Sequence, residues 1–129
     1  MRDRSGITII DTGYVRPELC AAYLVESGGR AALIDCGTAT CAQTVLDAID
    51  AAGVDRAAVD WLMVTHVHLD HAGAAGPLIR ALPNAQLVVH PRGAPHMIDP
   101  TRLIAGAKAV CSPALREAAA MAAAACGWP

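Results

Sequence analysis

The stretch VDWLMVTHVHLDHAG, Val59 to Gly73, decides the fold. Its first part, VDWLMVT (Val59 to Thr65), is a nearly continuous apolar run, the pattern of a strand buried on both faces of a sheet. Trp61 is then expected in the core. The second part, THVHLDHAG (Thr65 to Gly73), holds three of the chain's five histidines and an aspartate within six positions: His66, His68, Asp70 and His71. A loop at the carboxyl end of a buried strand is where α/β proteins gather their ligands.

That residue set points to metal chemistry. Successive side chains of an extended segment face opposite ways, so H-x-H sets His66 and His68 on one side, able to share an ion, with Val67 turned inward. Asp70 and His71 are adjacent and serve a common ion only if the chain turns, which Gly73 and Gly76 allow. A second ion beside the first would suit them. Imidazole and carboxylate favour zinc, with iron or manganese as the other options. A catalytic ion keeps one position for water, which then titrates near neutrality and supplies hydroxide. The plainer alternative is a set of exposed loop histidines, with His71 helping a helix cap.

Working outward, three strands precede this unit: Ile7 to Asp11, Cys20 to Ser27 and Arg30 to Asp35, with Gly28 and Gly29 making a tight turn between the last two. They read as an antiparallel meander. Thr40 to Gln43 has the capping-box form T-x-x-Q, Cys41, Val45, Ile49 and Ala52 follow at helical spacing, and Gly53 stops the helix. Downstream, PLIRAL (Pro77 to Leu82) reads as a short helix and AQLVVH (Ala85 to His90) as a strand. Asp99 and Pro100 look like the cap and first position of a helix reaching Val110. From Ala114 to Ala125 most residues are Ala, a segment with little side chain to bury. The division expected is therefore residues 1–110 as an α/β layered unit and 111–129 as an Ala-rich tail.

Bulk properties narrow the classes. The chain has 129 residues, 54% apolar, with no Phe and a formal charge of −2. No basic stripe suggests nucleic acid, and no run reaches the roughly 18 apolar residues of a membrane helix. The five cysteines form no C-x-x-C pair and their number is odd, which favours a reducing cytoplasm over a disulfide framework. Cys36 reads as a small buried residue or a thiol near the site; Arg92 and Lys108 read as solvated.

HVHLDH resembles the H-x-H-x-D-H signature of the metallo-β-lactamase superfamily, and its glyoxalase II and lactonase-like members are similar here. ALIDCGTA (Ala32 to Ala39) resembles that superfamily's strand ending in an Asp-x-Gly turn. The order of elements from about residue 7 to 110 is similar too. The resemblance implies an αββα sandwich, of which this chain would be the first αβ half. It implies one or two metal ions: His66 and His68 as ligands of the first, Asp70 and His71 of the second. Asp70 would also orient the attacking water. Asp35 would support the ligand loop from behind the ligands; its alternative reading is a turn-forming Asp before Gly37. The implied reaction is attack of metal-bound hydroxide on an ester, thioester, lactone, amide or phosphodiester of a small-molecule substrate.

Complete members also need a later His, a bridging Asp and a final His. Here only His90 and His96 follow His71, neither at the expected distance, and Asp99 suits a cap. The alternative is a truncated or inactive derivative that binds metal weakly, or one that completes its site with a partner such as a second copy. A binding module without metal is the third reading.

Overall fold

The computed structural model describes residues 3–110, so the expected tail lies outside the described residues. Strands β1 (Ile7–Asp11), β2 (Ala21–Ser27) and β3 (Arg30–Ile34) form the antiparallel meander. Gly28 and Gly29, at φ 57° and 76°, supply the two positive torsions of a type I′ hairpin between β2 and β3. Strand β4 (Val59–Met63) then pairs parallel with β3, and β5 (Gln86–Val88) parallel with β4, giving the order β1-β2-β3-β4-β5. Parallel neighbours require a crossover. Helix α1 (Ala42–Ala51) makes the first; α2 (Leu69–Ala72) and α3 (Ala75–Ala81) make the second. Helices α4 (Ala94–Ile98) and α5 (Thr101–Val110) follow β5. Among the described residues no helix is long and apolar enough to cross a membrane.

One face of the sheet is covered. Leu24, Leu33 and Leu62 stand side by side in register on β2, β3 and β4, fully buried with Val45 and Ile49 of α1 and Leu78 of α3. The other face carries Ile9, Tyr23, Ile34, Met63 and Val88 in one lateral row across all five strands. Within that row Ile9 is 54%, Tyr23 39% and Val88 40% exposed. The expectation of a β4 buried on both faces, with Trp61 in the core, is therefore corrected: Trp61 is 42% exposed. The helices that bury the leucines lie on the opposite side, and the alternation of the strand turns Trp61 away from them.

The capping box is also corrected. Ala39–Cys41 forms a 3-10 turn, and α1 starts after it with Cys41 as an N-cap that makes no side-chain cap bond. Thr40 instead shares a hydroxyl bond with Thr38 (2.8 Å), and Gln43 reaches forward to Asp47. The far end behaves as read. Gly53, at φ 73°, donates to Asp50 O and Val54 N–H to Ile49 O, a Schellman closure. Helix α3 starts two residues before Pro77, which stays within its first turn. Asp99 Oδ1 accepts from Thr101 N–H and so caps the start of α5; α4 was not expected from the sequence.

Candidate metal centre

Parallel pairing puts the ends of β3 and β4 at the same sheet edge, with Ile34 opposite Met63. The two loops that leave there meet at once: Asp35 N–H donates to Met63 O at 2.8 Å. Asp35 then takes φ 57°, a left-handed backbone that costs an ordinary L-residue roughly 1–2 kcal/mol and that Asp tolerates better than most. Its side chain is spent on the neighbouring loop. The carboxylate, 7% exposed, accepts Thr65 N–H at 2.8 Å, the Thr65 hydroxyl at 2.8 Å and His71 Nδ1 at 3.1 Å.

These bonds set proton positions. A carboxylate only accepts, so in the neutral imidazole His71 Nδ1 carries the hydrogen and Nε2 keeps a lone pair. Thr65 has one hydroxyl proton and gives it to Asp35. Toward His66 Nδ1, 2.9 Å away, it therefore accepts, which leaves the lone pair of His66 on Nε2 as well. One buried carboxylate thus fixes the tautomers of two imidazoles.

The rings of His66, His68 and His71 adjoin and Asp70 lies beside His71, but among the described residues His66 and His68 belong to no group of three converging ligand atoms. The His66 ring meets His68 edge-on, with centroids 4.8 Å apart, and lies tilted against His71, with centroids 4.2 Å apart. The turn needed for Asp70 and His71 comes from α2 itself, whose His71 and Ala72 N–H groups donate to His68 O. His68 is the N-cap of that helix but makes no side-chain cap bond, and His71 lies in its last turn, so the cap-helper alternative for His71 has no counterpart here. Asp70 Oδ2 and His71 Nε2 are 3.5 Å apart. Backbone bonds hold α2 against the Asp-x-Gly turn: Cys36 N–H to His71 O at 2.8 Å and Ala74 N–H to Gly37 O at 2.9 Å. Gly73 makes this approach possible, because a Cβ there would lie 2.4 Å from Leu69 O and 3.0 Å from Thr38 Cα.

His90 bonds the backbone of Arg92 in an exposed turn. His96 lines a narrow crevice with Val67, Leu69 and Met97. The residues missed from the sequence are Thr65 and Cys20. Cys20, 8% exposed, points its thiol at Asp70 O (3.3 Å), and its side chain forms with Asp70 and His71 a group whose ligand atoms all lie within 4.8 Å. Burial pushes the Cys20 thiol above its usual range, and the Asp70 carboxylate pushes it the same way. Cys36 is buried with its thiol on His71 O, the small-residue reading of the sequence.

A family model described as the metallo-beta-lactamase superfamily matches residues 15–110. The chain belongs to that superfamily. A Ribonuclease Z from Mycobacterium avium is 36% identical over 76 residues, 57% of this chain and 25% of that protein. Among solved structures, the MIM-2 metallo-beta-lactamase superposes with a TM-score of 0.67 at 29% identity, covering 76% of this chain and 35% of that one. A Cronobacter sakazakii metallo-beta-lactamase with a HARLDQ motif gives 0.64 at 25% identity, covering 72% and 35%. The chain therefore spans a quarter to about a third of these members' length. The superfamily's mixed α/β fold is shared over that part.

The donor set fits zinc. Imidazole nitrogen, carboxylate oxygen and a nearby thiol are the ligand types zinc accepts. An ion at usual zinc bond lengths in a tetrahedron separates its ligand atoms by about 3.3–3.6 Å, and Asp70 Oδ2 and His71 Nε2 already stand at 3.5 Å.

Proposed function

We propose that this chain carries the ligand loop of a metal-dependent hydrolase acting on an ester, thioester, lactone, amide or phosphodiester of a small molecule. Zinc is the ion the donors favour, as one or two ions, with His66 and His68 on one and Asp70 and His71 on the other. The observation that carries the reading is the buried Asp35 carboxylate, which holds both His66, through Thr65, and His71 with Nε2 free to bind. Outer carboxylates of this kind orient metal-binding histidines. When bound, the ion would acidify water and polarise the bond under attack. Asp70, a third exposed beside the three imidazoles, would orient that water and receive its proton.

Zinc titration of the chelator-treated chain, followed by calorimetry, tests this. Uptake at micromolar zinc is expected, and Asp70→Asn should weaken it at least about tenfold while abolishing any turnover of ester and lactone panels. No uptake by the wild-type chain would end the metal reading and leave a binding module without metal.

A second reading is favoured by the apolar row on the open sheet face: a second copy covers that face and completes the ligand sets. Sedimentation at several concentrations tests it. A dimer that takes up zinc more tightly than the monomer supports this reading, and a monomer at all concentrations rejects it.

A further inference from the structure

We infer that Cys20 is the third protein ligand of the ion held by Asp70 and His71, so that this subsite is a Cys–Asp–His set assembled within the first 71 residues. The inference rests on the metal reading above and goes beyond its four-residue motif.

Three observations carry it. Cys20 stands immediately before β2, and the adjoining loop bond from Thr12 N–H to Cys20 O (3.0 Å), together with the Thr12 hydroxyl on the same carbonyl (2.8 Å), fixes its backbone. Its side chain is thereby aimed at α2, where the thiol meets Asp70 O at 3.3 Å. Among the described residues, the only group of three side chains able to offer metal ligands within 4.8 Å of one another is Cys20, Asp70 and His71. The members of this group come from two elements fifty residues apart and are partly or fully shielded, whereas His66 and His68 are exposed. Finally, the orientation of His71 leaves Nε2, not Nδ1, as its free nitrogen, and that atom is the one 3.5 Å from Asp70 Oδ2.

Closing the group onto an ion requires the Cys20 side chain to move by about an ångström, since zinc–sulfur bonds are about 2.3 Å. On binding, the S–H bond is replaced by a sulfur–metal bond and the proton passes to solvent. No oxidant or second substrate is involved. A thiolate ligand would lower the net charge of the subsite and hold the ion more tightly than two ligands do.

The test uses the full chain stripped with chelator and reloaded with cobalt or zinc. Cobalt is expected to give visible ligand-field bands together with a near-ultraviolet thiolate charge-transfer band. The zinc absorption edge is expected to show a sulfur neighbour at about 2.3 Å. Cys20→Ser should remove both sulfur signals, keep the ligand-field bands, and weaken zinc at least about tenfold. Cys36→Ser should change neither signal. If Cys20→Ser fails to fold, replacing Cys36, Cys41, Cys111 and Cys126 by Ala serves instead, and retention of the sulfur signal assigns it to Cys20. Metal binding with nitrogen and oxygen ligands alone overturns this inference and leaves the metal reading standing. A charge-transfer band that survives Cys20→Ser overturns it too. Failure to bind either metal overturns both.

Discussion

The two ends of the H-x-H-x-D-H motif are built differently. His66 and His68 lie on an exposed loop, where the Thr65 hydroxyl and the neighbouring rings meet His66 and the His68 carbonyl accepts the first bonds of α2. Asp70 and His71 lie on α2, which is bonded by its backbone to the Asp-x-Gly turn, backed by Asp35 and flanked by Cys20. The sequence spaces all four residues alike, yet the structure preorganises one pair and leaves the other dependent on what else reaches it. Preorganisation matters because a ligand set already in place spends less of its binding energy on ordering side chains.

The comparison is broken most directly by exchanging one histidine from each end. His71→Ala should lower zinc affinity by about a hundredfold or more, and His66→Ala by about tenfold or less, measured by competition with a metal-sensitive dye. Equal losses would mean that the two ends are equivalent. Asp35→Asn should have the next largest effect. Asn accepts the left-handed backbone but its amide cannot accept from three donors as the carboxylate does, so zinc affinity should fall about 10–100-fold. If the drop is confined to the site at His66, the anchoring assigned to His71 is wrong. The smallest effect on metal, and a clear one on stability, is expected from Gly73→Ala. The added Cβ meets Leu69 O and Thr38 Cα, so a loss of about 1–3 kcal/mol should appear in urea unfolding of the metal-free chain. A loss below that range would show that α2 is held less tightly to the Asp-x-Gly turn than its bonds suggest.

Much of this was legible in the chain because its signals are local. The meander, the Gly28–Gly29 turn, the Gly53 stop and the order of helix and strand follow from spacing and turn chemistry, and the motif placed its four side chains at one edge. Asp35 invited two readings, turn former or support for the ligand loop. The structure shows the geometry of both in one residue: a left-handed torsion and a carboxylate accepting from Thr65 and His71. What was not legible depends on tertiary placement. Cys20 meets Asp70 only because β2, β3 and β4 bring the loops at one edge of the sheet together, and nothing within fifty residues of sequence encodes that. Trp61 misled because an apolar run reads the same whether one face or both are packed. The T-x-x-Q pattern misled because a 3-10 turn took up the residues that would have formed the box.

The torsion at position 35 also constrains how this lineage can change. Asn and Gly are the replacements that the chain path accepts most readily there, and both erase the negative charge that orders the imidazoles. Drift through that codon would therefore keep the local chain path while loosening the imidazoles that the carboxylate orders. Backbone geometry and imidazole orientation are thus tied to a single side chain.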